Sequence, residues 1–162
     1  MAQDPWQLND ETEWQTLGAF TLPSEPGNER QAVQHVVEIV NDLALPSERL
    51  ERLKTAVSEA TMNAMEHGNR FQPDQQVAVR VLVSRRALAV QVTDEGTSGT
   101  IRPPETPDLE AKLAGKQSPR GWGFFLIEKM VDELRVTAND AHHRIELFLY
   151  LEGETRGREE SS

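Results

Sequence analysis

The chain contains no cysteine among its 162 residues, so disulfide frameworks, thiolate metal sites and cysteine nucleophiles are excluded. Its four histidines are scattered, which argues against a zinc centre. No apolar run approaches the roughly 18 residues that a membrane span needs. Residues 1–10 are polar and acidic, unlike a secretory leader, so a cytoplasmic protein with no membrane partner is expected. Positive charge is also scarce, with 17 Lys and Arg against 27 Asp and Glu and a formal net charge of -10. Phosphate backbones are held by basic surfaces, so no nucleic-acid partner is expected. Any bound polyphosphate must instead be neutralised locally, by a metal ion, backbone amides or a few cations. Neither the Gly-Lys-Ser/Thr phosphate loop nor the dinucleotide Gly-x-Gly-x-x-Gly pattern is present.

What is present is the size and composition of one soluble domain, with 37% hydrophobic and 27% charged residues. Residues 1–12 read as a polar lead-in, 13–152 as the folded domain and 153–162 as a charged tail. Trp14 to Leu22 has strand character and ends in the turn-rich Pro23-Ser24-Glu25-Pro26-Gly27-Asn28. Asn28 reads as the N-cap of a helix to about Leu43, with Val33, Val36, Val37 and Val40 on its apolar face. Ser47 reads as the N-cap of a second helix that buries Leu50, Leu53, Val57, Ala60 and Ala64 and stops at Gly68-Asn69. Two hairpins follow, Val77–Val83 with Ala87–Thr93 and Leu134–Ala138 with Arg144–Leu151. Between them lie a Pro- and Gly-bearing stretch from Gly96 to Pro119 and an apolar helix from Gly123 to Val131. The order β-α-α-β-β-α-β-β favours an α+β fold: a two-layer sandwich, its mixed and mostly antiparallel sheet carrying helices on one face.

The second helix contains Glu59-Ala60-Thr61-Met62-Asn63-Ala64-Met65-Glu66-His67-Gly68. Residues four apart share a helix face, so Glu59, Asn63 and His67 form a polar stripe at the border of the buried side. Asn63 offers a neutral hard oxygen for Mg2+, whose other positions water and phosphate would fill. Glu59, one turn away, can accept a proton as a general base. Asp94 stands where an apolar strand enters Asp94-Glu95-Gly96. A carboxylate there can accept a hydrogen bond from an exocyclic amine such as that of adenine, and Gly96 lets the loop approach a planar ring. Gly121 and Gly123 flank Trp122 at a helix mouth, where free N–H groups and the helix dipole suit phosphate. Lys116, Ser118 and Arg120 precede it and can add charge-assisted contacts. His67 reads first as a helix-end residue favourable to the dipole. His35, His142 and His143 read as structural or exposed.

These three stretches, in this order, resemble the Bergerat-fold ATPases, the superfamily of gyrase, Hsp90, histidine kinases and MutL, and within it the anti-sigma-factor serine kinases. Glu59 to Gly68 resembles that family's asparagine box, Asp94-Glu95-Gly96 its first glycine box, and Arg120-Gly121-Trp122-Gly123 with the following residues to Glu133 its second. The similarity spans roughly Ala19 to Tyr150. It implies ATP and Mg2+ as cofactors, Glu59 as catalytic base, Asn63 as Mg2+ ligand and Asp94 as the adenine contact. Gly96, Arg120, Gly121, Trp122, Gly123 and His67 complete the implied nucleotide-binding set, and Gly96 to Pro119 matches the lid. The implied partners are a sigma factor and a STAS-domain anti-anti-sigma factor that is phosphorylated on serine or threonine. A homodimer through the first helix or N-terminal strand is compatible with the family. The family's first glycine box often reads Asp-x-Gly-x-Gly. Here the second glycine comes one residue late, as Gly99, which bears on lid-side contacts rather than on adenine. Two other readings remain: a nucleotide-gated binding protein without phosphotransfer, and a detached histidine-kinase catalytic domain. The last is disfavoured because no helical dimerisation segment precedes the domain and His35-Val36-Val37 lacks the acidic residue that follows a phosphoacceptor His.

Overall fold

A computed structural model describes residues 14–95, 121–138 and 142–151. Strand β1 (Gln15–Pro23) leads to helix α1 (Asn28–Ile39) and helix α2 (Ser47–Asn63). Strands β2 (Gln76–Val83) and β3 (Ala87–Thr93) follow, then helix α3 (Gly121–Met130) and strands β4 (Glu133–Ala138) and β5 (His143–Tyr150). The sheet order is β1-β2-β3-β5-β4, and every described ladder is antiparallel. The helices cover one face, as the sequence order implies for a two-layer α+β sandwich.

Period-2 alternation sets the strand faces. In β2, Val77, Val79 and Val81 are buried toward the helices, while Ala78 and Arg80 are exposed between them. Leu88, Val90 and Val92 of β3 and Ile145, Leu147 and Leu149 of β5 continue that face. Helix α2 meets it with Leu53, Ala56, Val57 and Ala60, and it packs between α1 and α3. Full burial of one Val or Leu side chain contributes roughly 1.5–3 kcal/mol, so this seam fixes where α2 lies. On the opposite sheet face a smaller cluster forms around Phe148, with Trp14 edge-on at 6.2 Å between ring centroids.

The helix starts differ from the sequence expectation. Gly27, at φ 98°, occupies the cap position of α1, and Asn28 is its first helical residue. The Asn28 side chain turns back and donates to Pro23 O at 2.8 Å, while Glu29 Oε1 accepts the Gly27 N–H at 3.0 Å. A backbone at φ 98° strains a residue with a Cβ, so position 27 favours glycine, and the Asn28 side chain faces the strand it has just left. Likewise Ser47 is the first residue of α2, and Pro46 holds the cap position. Helix α1 ends at Ile39, short of Leu43, and a 3-10 turn covers Asn41–Leu43 before Ala44 at φ 52°. None of the described helices is long and apolar enough to cross a membrane.

Candidate nucleotide site

Helix α2 brings Glu59 and Asn63 to the rim of the helix layer, both half-buried. The Asn63 Nδ2 donates to the Glu59 main-chain carbonyl at 2.9 Å. That bond orients the carboxamide and commits its nitrogen, so Oδ1 is the atom suited to a hard cation. Among the described residues no cluster of three or more His, Asp or Glu forms a metal cage. The Asn63 Oδ1 is a neutral hard donor that suits Mg2+ when water and phosphate oxygens fill the other positions. Burial, and secondarily the Glu29 carboxylate on α1, pushes the Glu59 carboxyl above its ordinary value of 4.5. A carboxylate so placed is a stronger proton acceptor than a solvated one. Glu59 also borders a cleft of about 370 Å3 between α1 and α2, lined further by Arg30, Val33, Lys54 and Ser58.

After Asn63 the winding widens into a π-helical turn, Ala64–Gly68, closed by Asn69 N–H to Ala64 O at 3.0 Å. Such single π turns recur at functional sites. His67 lies within this turn and is exposed. The turn also places Gly68 directly against Asp94: a Cβ at position 68 would fall on the Asp94 carboxylate. Sequence reading treated Gly68 as a helix stop. Its backbone is not left-handed, and the absent side chain serves the close approach of Asp94 instead.

Asp94 follows β3 and is buried, at 4% exposure. Its N–H donates to His143 O at 3.0 Å, extending the β3–β5 ladder by one residue. Its Oδ1 accepts the His143 N–H at 3.1 Å, and its Oδ2 lies 3.3 Å from His143 Nδ1. A carboxylate at this depth must be held by donors, and β5 supplies them. The end of α2 and the end of β3 are thus joined at one place, with Asn63 one turn back along the helix.

The backbone of Gly121, Trp122 and Gly123 forms the first turn of α3, which begins two residues before the expected start. Ile127 is fully buried, and α3 packs on the α2 flank, so its N-terminus is a fixed element beside the asparagine helix. The side chain of Trp122, together with Gly96, Arg120 and the lid expected from Gly96 to Pro119, lies outside the described residues.

Four contributors escaped sequence reading. Glu29 reaches Glu59 electrostatically from another helix. His143, read as structural or exposed, is the buried partner of Asp94. Asn69 and Ser24, read as stop and turn, form a buried hydrogen-bonded pair at 2.9 Å. Only the pairing of distant segments reveals these roles, although an Asn next to the helix-ending Gly68 was a visible hint.

Residues 22–148 match the family described as histidine kinase-like ATPase domain. The chain is 33% identical over 110 residues to the serine-protein kinase RsbW of Bacillus subtilis, covering 66% of this chain and 68% of that protein. It is 29% identical over 114 residues to the anti-sigma F factor of Bacillus cytotoxicus, covering 70% and 77% respectively. The RsbW of Bacillus pumilus is 35% identical over 97 residues, which span 57% of this chain and 60% of that protein. Among solved structures, that of the RsbU and RsbW domains of Rv1364c from Mycobacterium tuberculosis superposes with a TM-score of 0.58 at 16% identity, over 83% of this chain and 32% of that one, and shows the shared fold. The match over residues 22–148, with relatives at this identity and coverage, places the chain in the histidine kinase-like ATPase family, beside proteins named serine-protein kinase RsbW.

Proposed function

We infer that this chain is an ATP-dependent protein serine/threonine kinase of a cytoplasmic partner-switching module, binding a sigma factor and phosphorylating a STAS-domain antagonist of it. The observation that carries this reading is the joint placement of Glu59 and Asn63 on one rim of α2, with Asp94 seated against the end of the same helix. ATP supplies the transferable phosphoryl group when bound. Asp94 would accept the exocyclic amine of adenine, and Asn63 Oδ1 would hold Mg2+ against the phosphates. The first turn of α3 would present its N–H groups to those phosphates. Glu59 would take the proton from an approaching serine or threonine hydroxyl, whose oxygen then bonds to the γ-phosphorus as the bridging oxygen leaves with ADP. The raised proton affinity of Glu59 suits that task. Relatives named serine-protein kinase and anti-sigma F factor support the kinase class and the kind of partner.

The test is incubation of the full chain with labelled Mg-ATP and candidate STAS proteins, followed by mapping of the modified residue. Label on a serine or threonine of one such protein is expected. Glu59→Gln should keep Mg-ATP affinity within about two-fold while transfer falls by about 10²–10⁴-fold, the usual contribution of a general base. Equal transfer by the variant removes Glu59 as the base. Tight Mg-ATP binding with no label on any STAS partner would favour the nucleotide-gated binding protein instead.

A further inference from the structure

The peptide unit between Asp94 and Glu95 is tethered by groups that take no part in the proposed chemistry. Asn69 is fully buried. Its Oδ1 accepts the Glu95 N–H at 2.9 Å, while its Nδ2 donates to Ser24 Oγ at 2.9 Å and to Gln76 O at 3.1 Å. Ser24 Oγ donates in turn to Gln75 O at 2.7 Å. From the exposed side, Glu95 Oε2 accepts the Gln76 N–H at 2.9 Å. Main chain and side chain of residue 95 are therefore tied separately, one to the end of α2 and the other to the start of β2.

The Glu95 N–H belongs to the same rigid plane as the Asp94 carbonyl. Holding that plane fixes ψ of Asp94 and so the direction in which its side chain leaves the backbone. His143 and Gly68 limit the carboxylate from the far side. A carboxylate that cannot turn away accepts an amine well and opposes an oxo group strongly, because two acceptors then face each other unpaired. A loosened loop would let the carboxylate rotate out and relieve that opposition.

We propose that Asn69 and Glu95 are positioning residues for nucleotide selection, clamping the 94–95 peptide so that Asp94 distinguishes a 6-amino purine from a 6-oxo purine. The proposal rests on the reading of Asp94 as the adenine contact. Its test compares Mg-ATP with Mg-ITP, which differ at that position, by calorimetry on the full chain, with unfolding temperature recorded in parallel. The unaltered protein is expected to prefer ATP, and Asp94→Ala to lose the preference. Asn69→Ala should reduce the ATP-to-ITP affinity ratio by about ten-fold, roughly the discrimination of one hydrogen bond. Glu95→Ala, at an exposed position, should reduce it several-fold without unfolding the chain.

A folded Asn69→Ala with the original ratio overturns the clamp. If that variant does not fold, an unchanged ratio in Glu95→Ala overturns it equally. An unaltered protein that binds ATP and ITP alike removes the adenine reading of Asp94 itself, and the clamp with it.

Discussion

A methyl group at position 68 would land on the Asp94 carboxylate, with its carbon 2.7 Å from Asp94 Cβ. Asp94 is short, buried and held by His143, so it has no flexible end that can yield. Gly68→Ala is therefore expected to destabilise the fold by about 1–3 kcal/mol, as overpacking does. It should also weaken Mg-ATP binding beyond what the lost stability explains. Denaturant unfolding and calorimetry on the same variant separate the two effects, and unchanged ATP affinity would break the link between Gly68 and the site. At this scale the sequence was partly legible. Glu59, Asn63 and Asp94 stand out because their types and spacing resemble the family's boxes, and that resemblance implies their roles. Asn69 and His143 do not, since their partners are 26 and 49 positions away and exist only once β3 and β5 have paired. Gly68 does end the helical winding, as expected, but its contact with Asp94 has no signal in the sequence.

Elements place these residues, and the packing of α1 on α2 gives one of them its proton affinity. Glu59 ionises inside a half-buried rim, with the Glu29 carboxylate facing it from the first turn of α1 and Arg30 and Lys54 bordering the same cleft. Because its folded-state value lies above the unfolded one, the folded state binds the extra proton. Stability from this group is full below the ordinary carboxylate range and is lost as pH rises through the folded value. Activity runs the opposite way, since a base must be ionised: the acid limb of the transfer rate should lie above the ordinary carboxylate range. Glu29→Gln removes the smaller of the two causes, so it should move that limb toward lower pH while leaving the larger, burial-derived part in place. A pH profile of kcat/KM for phosphotransfer reports it, and superimposable profiles would dismiss Glu29 as an influence. The strands and both hairpins were readable from apolar alternation. The π turn was not, because no residue pattern distinguishes Ala64–Gly68 from a further α turn. Arg70 and Phe71, at φ 53° and 55°, are residue types that sequence alone would not assign to left-handed backbone. The turn is closed locally, by Asn69 N–H to Ala64 O at 3.0 Å and Phe71 N–H to Met65 O at 2.7 Å.

Over the whole molecule, charge decides how a triphosphate can be held. The chain carries a formal net charge of -10, and Glu59, Glu29 and Asp94 all lie on or near the proposed site. A free triphosphate approaching this surface meets repulsion that backbone N–H groups at the α3 mouth offset only locally. Mg2+ held by Asn63 and the phosphates would cancel charge on the ligand before it meets the carboxylates, so affinity is expected to depend strongly on the ion. Replacing Mg2+ with EDTA is expected to weaken ATP binding at least about ten-fold at low ionic strength, close to 1.4 kcal/mol. Raising salt shortens the screening length from about 10 Å at 0.1 M to about 3 Å at 1 M, so the penalty for omitting the metal should shrink as salt is added. Asn63→Leu, which removes the ligand oxygen at similar volume, should bring the two conditions together by lowering affinity only when Mg2+ is present. Calorimetric titrations across this grid of metal and salt provide the check. Equal ATP affinity with and without Mg2+ would mean that neutralisation comes from the protein alone, and Asn63 would lose its proposed role as a ligand.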